Sequence, residues 1–276
     1  MIISVLSGKG GTGKTTVSAC LASVLDKCQY IDCDVEEPNG AIFLNPKLTE
    51  TISVNVKVPV VDEDKCTYCG ICAKACQFGV IAVVEKKLLF FHEICHHCGA
   101  CVISCPEGAL YEVEREIGVV EKNEDSTFLQ GKLNVGEPIS IPILQKLKSN
   151  VKQDIPVIID CSPGASCNVV ESIEGSDYCI LVTEPTPFGL HDLEIAVKLA
   201  GKMDIPYGVV LNKASEDSKI IHKYCKENDI KILMEIPFSR EIAEAYSRGK
   251  LPVHENPKWK KLFKDMYKEI KGGAKR

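Results

Sequence analysis

Residues 8–15 read Gly8-Lys-Gly-Gly-Thr-Gly-Lys-Thr15, directly after the apolar run Met1-Ile-Ile-Ser-Val-Leu6. A short apolar run stopped by glycine suits a buried parallel strand, and the pattern that follows predicts a helix from Lys14 to about Leu25. No other feature limits the fold so strongly. Strand, glycine loop and helix in that order make a phosphate loop, in which glycines let successive backbone N–H groups turn inward around an anion. The positive end of the helix faces the same anion. On this pattern Gly8, Gly10, Gly11, Thr12 and Gly13 form the cradle, with Thr16 completing the set. Lys14 reaches the outer phosphates, and the Thr15 hydroxyl ligates the Mg2+ that bridges them.

The remaining pattern repeats strand and helix. Gln29-Tyr-Ile-Asp32 reads as the second strand of a βαβ unit, and Val157–Asp160, Tyr178–Val182, Tyr207–Leu211 and Ile232–Ile236 read as further buried strands. Helical spacing is clearest over Leu190–Met203 and Ser218–Asn228. Residues from about Ala41 to Val61 alternate loosely, with β-branched positions at Ile52, Val54, Val56, Val58 and Val60, as in a strand leading away from the core. The expected class is α/β, a mostly parallel sheet with helices on both faces. At 276 residues and 45% hydrophobic content, the chain can bury one such core and carry a small second unit. No apolar stretch approaches the roughly 18 residues needed to span a bilayer, and the N-terminus does not read as a signal peptide. The expectation is a cytoplasmic protein. A net charge of −5 gives no global attraction to nucleic acid, so none is expected as a partner.

Eight of the fifteen cysteines fall between Cys66 and Cys105. In a reducing compartment metal explains such density better than disulfides do. Their spacing is Cys66-x2-Cys69-x2-Cys72-x3-Cys76, repeated as Cys95-x2-Cys98-x2-Cys101-x3-Cys105-Pro106. This is the bacterial two-cluster ferredoxin pattern, in which the fourth cysteine of each run ligates the other cluster. Cys66, Cys69, Cys72 and Cys105 are then expected to hold one [4Fe–4S] cluster, and Cys95, Cys98, Cys101 and Cys76 the second. Zinc also binds paired C-x2-C units, but the x3 cysteine in both runs favours clusters. Gln77 departs from the pattern, standing where the second run has Pro106. The scattered Cys20, Cys28, Cys33, Cys161, Cys179 and Cys225 read as small buried hydrophobes. The expected division is a discontinuous nucleotide domain, 1–57 and 114–276, around a small α+β ferredoxin-like insertion, 58–113.

An ordinary phosphate loop does not require Lys9. With it, Lys9-Gly-Gly-Thr-Gly-Lys-Thr-Thr16 resembles the deviant Walker signature of the family that includes Min-type and partition ATPases, the nitrogenase iron protein and Mrp-type iron–sulfur ATPases. The resemblance implies a nucleotide-sandwich homodimer in which Lys9 reaches the partner subunit's phosphates. It also implies that Asp34, in Asp32-Cys-Asp34, positions the attacking water beside Mg2+, and that Asp160 is the Walker B aspartate holding Mg2+ through water. Ser162-Pro-Gly164 is similar to the second switch. Asn212 matches the adenine-contacting asparagine, and Ser215 stands where a guanine-selecting aspartate would be, so ATP and ADP are the implied nucleotides. Pro237 and Phe238 resemble the segment lining the adenine pocket. The likeness, including Thr183-Glu-Pro-Thr-Pro-Phe-Gly-Leu190, covers essentially the full chain.

These signals favour an ATPase whose nucleotide state drives electron transfer or iron–sulfur cluster delivery to a redox or cluster-accepting partner protein. The alternative is a Min- or partition-like positioning ATPase with structural clusters; a plain electron carrier would not need Lys9, Lys14, Asp34 and Asp160 together. Cys167 falls where the nitrogenase iron protein has an intersubunit cluster ligand, although the second ligand of such a site has no counterpart. Near the C-terminus Trp259, Leu262, Phe263, Met266, Tyr267 and Ile270 form an apolar stripe opposite several lysines. Docking on the α/β core is the expected use of that stripe, rather than a membrane.

Overall fold

Strand β1 (Ile2–Leu6) lies inside the sheet, paired in parallel with two strands distant in sequence. The computed structural model describes residues 1–273. From β1 the chain enters α1 (Lys14–Ser23), β2 (Gln29–Asp32), α2 (Gly40–Leu44) and the long β3 (Leu48–Val61). A small unit follows, with α3 (Ile71–Ala75), the hairpin β4 (Ile81–Val84) and β5 (Lys87–Phe90), and α4 (Ala100–Ile103). The chain returns along β6 (Leu110–Asn123) and β7 (Phe128–Leu133) to α5 (Ile141–Lys148) and β8 (Val157–Asp160). It then alternates through α6 (Cys167–Ile173), β9 (Tyr178–Thr183), α7 (Pro187–Lys202), β10 (Tyr207–Ala214), α8 (Lys219–Glu227) and β11 (Ile232–Pro237). Three helices close it: α9 (Arg240–Ser247), α10 (Pro252–Glu255) and α11 (Pro257–Gly273).

The nine-stranded sheet has the order β11-β10-β9-β1-β8-β2-β7-β6-β3. From β11 to β7 every pairing is parallel; β6 and β3 are antiparallel at the edge. Parallel strands are covered on both faces and so read as continuous apolar runs. One face packs Val157, Ile159 and Leu181 against α5, α6, α7 and α8. The other packs Ile3, Val5, Ile158 and Ile180 against α1, α10 and α11. The α/β expectation and a mostly parallel sheet are observed.

On α11, Phe263, Met266 and Ile270 recur at three- and four-residue steps and are at most 2% exposed. The apolar stripe therefore faces the sheet and the lysines face water. Among the described residues no helix is long and apolar enough to cross a membrane.

Two stretches differ from the sequence expectation. Residues Gly40–Leu44 form a helix rather than the start of a strand, because the Gly40 N–H is held by the buried Asp32 carboxylate at 2.8 Å and Phe43 packs beside α1. The turn ends at Asn45 in the left-handed conformation, φ +46°. Residues Leu110–Asn123, for which the sequence reading names no strand, form β6, which pairs with β3 from Asn123 to Leu110 and with β7 on its other side. Hairpin β3–β6 is thus the sheet edge and the base of the small unit at once.

Replacing Phe263 by Ala should lower stability by about 3–5 kcal/mol, whereas Lys261→Ala should change it by less than about 0.5 kcal/mol. Urea denaturation of the two variants measures the difference, and equal midpoints would mean that α11 is not docked.

Candidate functional site

The loop after β1 is open on one side and pinned on the other. A side chain added at Gly10 or Gly11 would meet nothing within 4 Å, so the backbone there faces open space. At Gly8 a Cβ would stand 2.4 Å from Asp192 Cβ on α7. Gly13 sits at φ +97°, in the left-handed region that glycine tolerates, and turns the chain into α1. Its added Cβ would lie 2.3 Å from Asn212 Nδ2, which donates to the Thr12 carbonyl at 2.7 Å. The Ser7 hydroxyl donates to the Lys9 carbonyl at 2.7 Å. Lys14 is buried, and its charge favours the ionised forms of both Asp34 and Asp160.

Asp160 ends β8 with almost no exposure. Its Oδ2 accepts from the Tyr30 hydroxyl at 3.0 Å, while Oδ1 has no protein partner, and neither does the buried Thr12 hydroxyl. Burial raises the Asp160 pKa; Thr15, Lys14, Tyr30 and Ser18 oppose that rise. Asp32, equally buried, accepts from the Gly40 N–H and from the Asp34 N–H at 3.1 Å. Burial, then the charge of Asp160, lifts Asp32 well above the usual carboxylate range. Sequence reasoning used Asp32 only to mark a motif. In the fold it anchors the turn that carries Asp34.

Asp34 is half-buried, and its pKa is pushed up to about 6, first by burial and then by Asp160, Glu36 and Glu37 against the pull of Lys14. The backbone ties its loop to its neighbours. Cys33 N–H donates to the Asp160 carbonyl at 2.8 Å, Ser162 Oγ to the Cys33 carbonyl at 3.0 Å, and Gly164 N–H to the Ser7 carbonyl at 2.9 Å. An orphaned buried carboxylate oxygen, the Thr15 hydroxyl and Asp34 make an all-oxygen donor set that fits Mg2+.

Sequence reasoning missed Glu184. Its nearly buried carboxylate accepts from the Lys9 ammonium and from Lys213 Nζ at 3.0 Å. Burial opposes its ionisation, but the bonds from Lys9 and Lys213 outweigh burial and its pKa falls below the ordinary value. Lys213 Nζ also donates to the Gly11 carbonyl at 3.1 Å. In this conformation Lys9 is therefore held within its own chain. The available signal was a carboxylate placed directly after the buried strand β9. Asn212, Pro237 and Phe238 line one cavity of about 340 Å³ beside Gly11 and Gly13. Tyr246 and Trp259 also line it.

The eight clustered cysteines sort into two sets. Cys66, Cys69, Cys72 and Cys105 line one small cavity, and Cys76, Cys95, Cys98 and Cys101 line another. The two runs fold alike: Tyr68 (φ +56°) and His97 (φ +55°) both take the left-handed conformation, which non-glycine residues rarely adopt. Each donates its N–H to the sulfur two residues earlier, Cys66 and Cys95, at 3.4 Å. Four thiols with N–H···S support are a donor set that fits a [4Fe–4S] cubane. Among the described residues no group of three His, Cys, Asp or Glu side chains closes on a single ion. Of the remaining cysteines, Cys20, Cys33, Cys161, Cys179 and Cys225 are buried, Cys28 is partly so, and Cys167 is exposed at the start of α6.

The sequence profile of the CobQ/CobB/MinD/ParA nucleotide binding domain family matches residues 3–253. The chain belongs to that family. A Methanocaldococcus jannaschii protein described as uncharacterized is 34% identical over 259 residues, covering 90% of each chain. An iron-sulfur cluster carrier protein of Pyrococcus horikoshii is 25% identical over 301 residues, covering 98% of this chain and 88% of its own. In fold the chain is similar to the septum site-determining protein MinD of P. horikoshii, solved with Mg-ADP. That likeness has a TM-score of 0.57 and 20% identity, and covers 98% and 95% of the two chains. In this MinD/ParA-type fold, β1, β2 and β8 deliver the glycine loop, Asp34 and Asp160 to the same end of the sheet, which is where ligands of open α/β sheets bind.

The raised pKa of Asp34 bears on stability. The folded state keeps the proton up to a pH of about 6, whereas the unfolded chain releases it near 3.9. As pH rises through that window the folded protein loses stability, and the loss is complete above it. In Mg2+-free buffer Asp34→Asn should therefore be more stable than the wild type at pH 7.5 by roughly 1 kcal/mol, after allowance for partial exposure. The advantage should vanish by about pH 4. Denaturant titrations in EDTA at both pH values check this; an advantage that persists at low pH would assign it to something other than ionisation.

Proposed function

We propose that the protein is a Mg2+-dependent, dimer-activated ATPase whose nucleotide state controls two [4Fe–4S] clusters held by residues 58–113. The output of that control is electron transfer or cluster delivery to a partner protein. The observation that carries this reading is the sorting of eight cysteines into two four-thiol cavities, on a hairpin continuous with the nucleotide-binding sheet. The full-length likeness to the iron-sulfur cluster carrier of P. horikoshii supports it.

The nucleotide half follows from the chain's own groups. Backbone N–H groups of residues 10–15 and the Lys14 ammonium hold the phosphates, and Asn212, Pro237 and Phe238 hold adenine. Thr15, Asp34 and Asp160 would hold Mg2+, which neutralises phosphate charge when bound. Asp34 orients the water that attacks the γ-phosphorus as the bond to the β–γ bridging oxygen breaks, yielding ADP and phosphate. Lys9, once it leaves Glu184, brings a positive charge to the partner subunit's phosphates and stabilises charge developing on the transferring group. Cys66, Cys69, Cys72 and Cys105 would hold one cluster and Cys76, Cys95, Cys98 and Cys101 the other. The clusters supply one-electron chemistry at potentials set by nearby charge and hydrogen bonds. Burial of the α11 stripe supports docking on the α/β core as the use of that face.

Anaerobically prepared protein should contain about eight iron atoms per chain, falling by about half in Cys72→Ser and staying unchanged in Cys167→Ser. Lys14→Ala should lower ATP turnover by about a hundredfold or more. Replacing Mg-ADP by Mg-ATP should shift a cluster midpoint potential or the rate of iron loss to a chelator. Iron-free protein, or clusters indifferent to the nucleotide in both measurements, would end this reading.

A further inference from the structure

We propose that Arg115 and Glu137 link the turn bearing Asp34 and Val35 to the turn bearing Cys95, so that Arg115 is a positioning residue for one cysteine set only. The inference rests on the coupling reading above and names its route.

Arg115 stands on β6, where the hairpin leaves the sheet for the small unit. Its guanidinium makes a fork with Glu137, Nη1 to Oε1 at 2.6 Å and Nη2 to Oε2 at 2.8 Å. Nη2 also donates to the His92 carbonyl at 3.2 Å. That same carbonyl accepts from the Cys95 N–H at 3.1 Å, closing the short turn His92–Ile94 that delivers Cys95. Glu137 is only 8% exposed, so the fork is sheltered from solvent and holds its geometry better than a surface pair would.

Glu137 in turn is fixed from the nucleotide side. Its N–H donates to the Asn134 carbonyl at 3.2 Å, and the Asn134 N–H donates to the Ile117 carbonyl at 2.9 Å. One residue earlier, the Leu133 N–H donates to the carbonyl of Val35, the residue after Asp34, at 2.9 Å. Val35 packs so closely on β7 that a Cβ at Gly131 would lie 2.6 Å from its Cγ1. A displacement of the Asp34–Val35 turn must therefore move the end of β7 and the loop behind it. Through Glu137 and Arg115 it reaches the His92 carbonyl. No residue of the Cys66, Cys69, Cys72 and Cys105 set hydrogen-bonds to Arg115 or Glu137 among the described residues.

The test compares full-length wild type with Arg115→Gln and Glu137→Gln, the second keeping the shape of the side chain in case the first folds poorly. Hydrogen exchange of residues 92–98 is followed with Mg-ADP and with the non-hydrolysed analogue Mg-AMPPNP, and midpoint potentials of the two clusters are measured by EPR titration. Wild type should show a nucleotide-dependent difference in both. In each variant exchange of the 92–98 turn should rise about tenfold and lose its dependence on nucleotide, with nucleotide affinity unchanged within about twofold. In Arg115→Gln the midpoint of the Cys76, Cys95, Cys98 and Cys101 cluster should fall, because reduction adds negative charge beside a lost cation, while the other midpoint stays. If wild type responds to nucleotide and both variants respond equally, Arg115 is not the link, although the coupling reading survives. If wild type itself does not respond, both fall together.

Discussion

Three ionisable side chains, Asp32, Asp160 and Lys14, are withdrawn from water where β1, β2 and β8 end, and the residues around them answer that desolvation. A buried carboxylate without donors costs several kcal/mol, so the chain surrounds each one. Tyr30 lends its hydroxyl to Asp160, and the turn after β2 folds so that two backbone N–H groups reach Asp32. The tight contact of Gly40 with the Tyr30 ring, 2.5 Å from a would-be Cβ, follows from that wrapping. One oxygen of Asp160 is left without a donor.

Much of this was legible from sequence because the parallel strands are covered on both faces and leave nearly unbroken apolar runs. Val157–Asp160 and Gln29–Asp32 are read at their observed bounds for that reason. The glycine loop was equally readable, since its steric demands admit few residue types. The repeat in the cysteine spacing is matched in the fold, where the two runs take equivalent turns with left-handed Tyr68 and His97. Short α2 and the long strand β6 were not readable. Both depend on contacts distant in sequence, Asp32 with Gly40 and β6 with β3 and β7, that local propensity does not encode. Glu184 was hidden for the same reason: its meaning lies in two lysines at positions 9 and 213.

The Lys9–Glu184–Lys213 arrangement puts two cations on one sheltered carboxylate at the rim of the phosphate loop. A lysine held this way leaves its position open to competition from an anion of higher charge, and a polyphosphate carries more negative charge than one shared carboxylate. The loop therefore carries its own placeholder. Lys213 contributes a second tether, to the Gly11 carbonyl, which keeps β10 registered against the loop whatever Lys9 does.

The β3–β6 ladder has a geometric corollary. Side chains alternate faces along a strand, so the gain or loss of one residue in either arm would roll the cysteine-bearing unit to the opposite side of the sheet. Two-residue changes would only slide it outward or inward by one pleat repeat. Bulges can absorb an odd residue, as the register shifts between Leu48 and Glu50 and between Val54 and Asn55 already do in this ladder. The stalk behaves as a toothed rack: it sets the height of its load in discrete notches and forbids rotation between them.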